Sequence, residues 1–151
     1  MASLPGAVLF ACNLNRVRSP MAVGVMHRLF GNRLFIDSCG LRCDADDRSA
    51  DPFSIAVMDE VGIDISEHTA KTFDDLEDQS FDLVISLTPN AHHRAVELAR
   101  GRSMELEYWA THDPTLTLGS RDNVLDAYRT VRDTLEARLR ERFGVTRTFG
   151  G

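Results

Sequence analysis

The sequence has no CxxC pair, no apolar run long enough to cross a bilayer and no excess of basic charge, and each absence removes a class of function. Its three cysteines, Cys12, Cys39 and Cys43, are odd in number and lack zinc-site spacing. Neither a disulfide framework nor a structural metal is expected; free thiols in a reducing compartment are. The longest apolar stretches, such as Ala7 to Cys12 and Leu83 to Leu87, fall far short of the about 20 residues that a membrane helix needs. The N-terminus does not show the basic-then-apolar order of a secretory leader, so a cytoplasmic protein that stays off membranes is expected. A net charge of −6 and a pI near 5.3 argue against a general nucleic-acid binder, whose surface must be basic. Repeats and low-complexity tracts are also missing.

What is present is a chain of 151 residues, 43% hydrophobic, enough for one sizeable core, and a single domain over 1–151 is expected. Ala7 to Ala11 is a short continuous apolar run, the pattern of a buried parallel strand. After Ser19-Pro20, apolar residues recur with helical spacing from Met21 to Phe30, with Ser19 at the helix start and Gly31-Asn32 as the stop. The alternation continues with a strand at Leu34 to Ser38, a helix from Asp51-Pro52 to Gly62, a strand at Phe81 to Leu87 and a helix at Pro89 to Arg100. Met104 to Trp109 reads as an edge strand, and a long helix follows with Ser120 as N-cap and Gly144 as stop. Cys39 to Ala50 is the least regular stretch and is expected to be a surface loop. The fold class implied is α/β: a three-layer domain with a four-stranded parallel sheet and helices on both faces.

Such sheets bind ligands outside the carboxyl ends of their strands, and Cys12 stands at such an end. From Cys12 through Asn13, Leu14, Asn15, Arg16, Val17 and Arg18 to Ser19 the chain wraps from strand to helix. Its successive N–H groups then point inward at the positive end of the helix dipole. That geometry suits a tetrahedral oxyanion, and a helix start beside arginines favours a thiolate at Cys12. Arg18, six residues on, can offer a planar fork of donors to phosphate oxygens, and Ser19 can donate to the thiolate. A Cys six residues before an Arg is common in so Arg-rich a chain. The specificity lies in the strand before it, the helix after it, an Asn15 able to take a left-handed turn, and Ser19-Pro20 closing the loop.

With these residues in view, the chain resembles the low-molecular-weight protein tyrosine phosphatase and arsenate reductase family. The resemblance runs in order through Cys12-x5-Arg18-Ser19-Pro20, Ser38-Cys39-Gly40, Ala50-Asp51-Pro52, Gly62 to Ser66, Phe81 to Ile85 and Asp113-Pro114. It implies Cys12 as nucleophile, Arg18 as oxyanion binder, Asn15 and Ser19 as loop supports, and Asp113 as general acid. It also marks departures. Thr115 and Leu116, and Leu41 and Arg42, stand where the phosphatases carry aromatic walls, so protein phosphotyrosine recognition is not implied. Val17 replaces a second loop cysteine, and Ser86 to Asn90 carries none of the further thiols of thioredoxin-coupled reductases.

Asp113 also has a chemical rationale of its own. A cysteine displacing an alcohol from phosphorus needs an acid for the leaving group and then a base for water, and one carboxyl can do both. His92, His93 and His112 lack the spacing and third partner of a metal site, with His92 and His93 read as a solvated helix face; Asp44 to Asp47 lacks a calcium loop's glycine and distant glutamate. The expected function is metal-free and cofactor-free hydrolysis of a small phosphorylated substrate or phosphoprotein through a phosphocysteine. The alternatives are an arsenate reductase using the same loop, with Cys39 or Cys43 as a conceivable resolving thiol, and a non-catalytic oxyanion-binding module. Arg16 and Arg42 suggest a second anionic group on the substrate, the alternative being that both are simply solvated.

Overall fold

The computed structural model describes residues 4–145. Four strands, β1 (Ala7–Cys12), β2 (Phe35–Gly40), β3 (Leu83–Ser86) and β4 (Glu105–Tyr108), form one parallel sheet in the order β2-β1-β3-β4. Between and after them run α1 (Arg18–Phe30), α2 (Pro52–Asp59), α3 (Pro89–Leu98) and α4 (Arg121–Phe143), with single 3₁₀ turns at Phe73–Asp75 and Pro114–Leu116. The α/β architecture with a four-stranded parallel sheet is the one the sequence pattern implies.

β1 is continuously apolar because it is central and covered on both faces. The two-residue pleat sends Val8, Phe10 and Cys12 into one core, shared with α1, α2 and α4, and Leu9 and Ala11 into the other, shared with α3. Leu135 and Leu139 of α4 are fully buried, each burial contributing about 1.5–3 kcal/mol. β4 is an edge strand as its alternation implies, with Glu105 and Tyr108 exposed. Among the described residues no helix is long and apolar enough to cross a membrane.

Helix starts follow capping chemistry. Asp51 accepts the N–H groups of Phe53 and Ser54 before Pro52, Thr88 accepts that of Ala91, and Ser120 that of Asn123. Gly144 closes α4 in the left-handed region at φ 72°. Glu60, just past α2, bridges to α4 by contacts to Arg129 (2.7 Å) and Arg132 (2.8 Å). Hydrogen bonds from Arg129 chiefly, then Arg132, hold its carboxyl down to about 2 against the cost of desolvation.

Two expectations are corrected. α1 begins at Arg18 with Val17 at the cap and no side-chain cap bond, so Ser19 is a first-turn residue, free to face the sheet end. The stretch Cys39 to Ala50 is not all surface loop, since β2 runs on through Cys39 and Gly40, both buried. The reason is close packing: a Cβ on Gly40 would stand 2.8 Å from the Asn13 carbonyl oxygen and 2.9 Å from the Asn15 nitrogen. Glycine there lets the loop after β1 lie against the end of β2.

Candidate active site

At the carboxyl ends of β1 and β2 the chain forms a tight cradle from Asn13 to Val17. Its carbonyls are turned outward and tied down. That of Cys12 accepts from the N–H of Leu41, that of Asn13 from the N–H groups of Leu41 and Arg42, that of Arg16 from Asp51 N–H, and that of Asn15 from the His68 ring. Among the described residues no protein acceptor takes the backbone N–H groups of Asn13 to Arg18. With α1 beginning at Arg18, these donors and the helix dipole converge on one small volume. Such a nest binds a tetrahedral anion.

Asn15 organises the cradle. It is fully buried, with φ 58°, a left-handed conformation that asparagine tolerates better than most residues. Its amide donates to Ser19 Oγ at 2.7 Å and Ser38 Oγ at 2.9 Å, and its carbonyl accepts Lys71 N–H at 3.0 Å. Ser19 Oγ accepts from Asn15 and lies 2.9 Å from Cys12 Sγ, so its hydroxyl hydrogen is available to a thiolate there. His68 Nε2 lies 2.7 Å from the Asn15 carbonyl; a carbonyl only accepts, so Nε2 carries the proton. Burial pushes the His68 pKa down, which keeps the ring neutral in that role.

Arg18 is buried and donates to the Thr111 carbonyl at 3.1 Å, and its other terminal nitrogen is 3.8 Å from Asp113 Oδ2. Asp113 Oδ1 accepts Thr115 N–H at 3.0 Å and the Thr115 hydroxyl at 2.6 Å, which sets the carboxylate at the head of the turn Pro114–Leu116. The cradle, Arg42, Asp51, Asp113 and Thr115 line a pocket of about 130 Å³ with Cys12 at its base. The pocket therefore holds a thiol, a loop of N–H donors, a guanidinium fork and a carboxyl group in one place.

The site residues read from the sequence fare differently from one another. Cys12, Arg18 and Asp113 are brought together. Asn15 and Ser19 support the loop through their side chains, whereas Asn13 contributes backbone and turns its side chain to Thr88 Oγ1, 2.8 Å away. Val17 is buried in the core and Leu14 is exposed at the rim. Arg16 turns from the pocket centre to the Ser49 carbonyl (2.8 Å) and Asp47 (3.2 Å). Cys39 lies on the opposite sheet face from Cys12: it pairs with Ala11 while Cys12 pairs with Gly40, one step apart in register. Burial pushes its thiol pKa well up. His92 is half-buried and packs on the Tyr108 ring rather than lying on a solvated face. Among the described residues no three His, Cys, Asp or Glu side chains gather into a metal site.

Four contributors were not singled out as site residues from the sequence. Ser38 and Asp51 sit inside motifs, but motifs do not show their contacts: Ser38 Oγ accepts from Asn15, and Asp51 Oδ2 accepts the hydroxyl of Tyr128, 77 positions away, at 3.2 Å. Burial, then the facing Asp51, pushes that phenol's pKa up. His68 and Lys71 come from an irregular segment with no periodic signal. Lys71 also pairs with Asp37 at 2.6 Å, joining that segment to β2.

A cysteine at the end of a central parallel strand, followed by a loop of N–H groups unpaired among the described residues and an arginine on the first helix turn, places the chain among α/β proteins with a cysteine-bearing anion loop. Residues 7–144 match the family described as low molecular weight phosphotyrosine protein phosphatase, and the chain belongs to that family. An arsenate reductase of Halalkalibacterium halodurans is 31% identical over 133 residues, 88% of this chain and 91% of that protein. A solved arsenate reductase in a phosphate-binding state is 30% identical with TM-score 0.74, covering 91% of this chain and 96% of its own. The Erwinia amylovora tyrosine phosphatase amsI shares the fold at TM-score 0.77 and 18% identity, over 97% of this chain and 96% of its own.

Proposed function

We propose that the protein hydrolyses phosphate monoesters through a phosphocysteine. Cys12 Sγ attacks phosphorus as the ester oxygen leaves and takes a proton from Asp113. Asp113, now a carboxylate, draws a proton from water, whose oxygen attacks the phosphocysteine; inorganic phosphate departs and the thiolate returns to its Ser19 hydrogen bond. The cradle N–H groups and Arg18 hold the equatorial oxygens through both displacements. The observation that carries this reading is Asp113, a carboxylate lining the pocket beside the arginine that would bind the phosphoryl group. A pure oxyanion-binding module has no use for it.

Single-turnover hydrolysis by Asp113→Asn tests the role. General acid catalysis contributes about 100- to 10,000-fold and matters most for poor leaving groups. An alkyl phosphate should therefore slow far more than p-nitrophenyl phosphate. Equal slowing of both would remove Asp113 from the chemistry.

Sequence likeness favours a second reading, arsenate reduction, over this one, since the relatives at 30–31% identity are arsenate reductases. In that reaction Cys12 would displace oxygen from arsenate to form an S–As bond. A second thiol would attack Cys12 Sγ, forming a disulfide as the S–As electron pair passes to arsenic and arsenite leaves. Cys39 faces the other core, so the second thiol would be Cys43 or one from solution. Cys12-dependent release of arsenite from arsenate and a thiol reductant, without turnover of any phosphate ester, would put this reading in place of the first.

A further inference from the structure

Three arginines line the pocket, and their side chains are committed differently. Arg16 is held by Ser49 and Asp47, and Arg18 spans from the Thr111 carbonyl toward Asp113. Arg42 is exposed, and among the described residues its guanidinium has no hydrogen bond, ion pair or ring contact. Its backbone is nevertheless fixed. Arg42 N–H donates to the Asn13 carbonyl at 3.1 Å and Leu41 N–H to the same oxygen at 2.8 Å, which pins position 42 to the rim of the cradle. A planar cation so placed, with its fork uncommitted, suits a second anionic group on a molecule whose phosphoryl end sits over Cys12.

The remaining lining points the same way. Among the described residues no aromatic ring lines the pocket, so none of them holds the group attached to the phosphoryl oxygen by stacking. A carboxylate matches the guanidinium fork with two parallel hydrogen bonds, and it brings one negative charge where a second phosphate would bring about two into a pocket that already holds Asp51 and Asp113.

We infer that Arg42 is a specificity-determining residue that reads a carboxylate on the leaving group, a few atoms from the scissile ester oxygen. The substrate class is small phosphorylated hydroxy acids. This rests on the hydrolytic reading and narrows it. A preference for such an acid is not generic here: Asp51 and Asp113 line the same pocket, Arg16 and Arg18 are already committed to partners, and the chain carries a net charge of −6, so Arg42 is the cation placed to favour an added negative charge.

The test is equilibrium binding to full-length Cys12→Ser of two probes equal in size, carboxymethyl phosphate and its uncharged amide, carbamoylmethyl phosphate. The acid should bind about 10-fold more tightly, as one charge-assisted pair at a partly screened site gives, and added salt should shrink the difference. In Cys12→Ser/Arg42→Gln the ratio should fall to one or below. Equal affinities with Arg42 present, or a preference that survives Arg42→Gln, overturns the inference. Failure of the hydrolytic reading shows separately, as absence of p-nitrophenyl phosphate turnover by the unmodified protein whatever the binding ratio.

Discussion

Asn15 is the residue whose replacement tests the architecture of the cradle most directly. Asn15→Ala removes the partners of Ser19 Oγ, Ser38 Oγ and Lys71 N–H in one step. Ser19 keeps Cys12, but Ser38 Oγ and Lys71 N–H lose the bonds they make to Asn15, each at about 1–3 kcal/mol where water cannot enter. Alanine at φ 58° adds about 1 kcal/mol of backbone strain. The sum is about 3–7 kcal/mol, enough to lower Tm by roughly 6–28 °C in a chain of this size. Asn15→Gly loses the same bonds without the strain, and glycine's extra unfolded-state freedom offsets much of that gain, so it should match Asn15→Ala or exceed it by up to about 0.6 kcal/mol. Urea unfolding of both variants, with and without phosphate, measures the difference, and both should lose most of the stabilisation that phosphate confers. Adding Ser38→Ala to Asn15→Ala should recover about 1 kcal/mol, since the stranded hydroxyl is gone. An alanine variant more stable than the glycine variant by about 0.4–1 kcal/mol, the ordinary difference, would refute the left-handed assignment. Undiminished stabilisation by phosphate would refute the claim that Asn15 holds the anion site in shape.

Two further outcomes follow from packing and charge. Gly40→Ala drives a Cβ against the backbone of Asn13 and Asn15, and should lower stability by about 2 kcal/mol and Tm by roughly 4–8 °C, with weaker phosphate binding in calorimetry. Glu60→Gln should cost about 1 kcal/mol at pH 7, a figure reduced for the partial exposure of the carboxylate. Because the folded-state pKa of Glu60 is depressed to about 2, its contribution is full above about pH 4.5 and is lost as pH falls toward 2. Denaturation curves of parent and variant should therefore converge at acid pH, and a constant gap would show that the charge is not what Glu60 contributes.

The parts of the site that could be read from the sequence are those whose signal is local. Cys12 and Arg18 are legible because an apolar strand, a loop and a helical period lie end to end, and the motif spacing places both on one turn of chain. Asp113 is legible through its proline and its position after the last strand. Contacts between distant single residues are not legible: Asp51 with Tyr128, or Asn15 with His68, join positions 77 and 53 apart, and a lone polar residue carries no period. Arg16 and Arg42 look equivalent in sequence and part company only because the segment around Asp47 and Ser49 captures the first. Ser19 next to Pro20 imitates a cap and its following residue; its hydroxyl is instead turned to the thiol, and the helix starts one residue earlier. β2 extends past the apolar pattern because Gly40 is chosen by the loop it touches, not by its own hydrophobicity.

The convergence on Asp51 also bears on how the protein comes into being. Its N–H holds the cradle at Arg16, one carboxyl oxygen starts α2, and the other meets Tyr128 on the last helix. β1, though it precedes the other three strands in sequence, is an inner strand, and one of its edges stays open until Leu83–Ser86 arrives to pair with it. The proposed oxyanion affinity is thus a property of the folded domain and not of the segment from β1 to Ser19 alone. Contacts this far apart in sequence make closure of the cradle a late event in folding. A nascent or truncated chain ending before α4 would carry the nucleophile without its cradle braced, and phosphate would stabilise only molecules that have completed the last step.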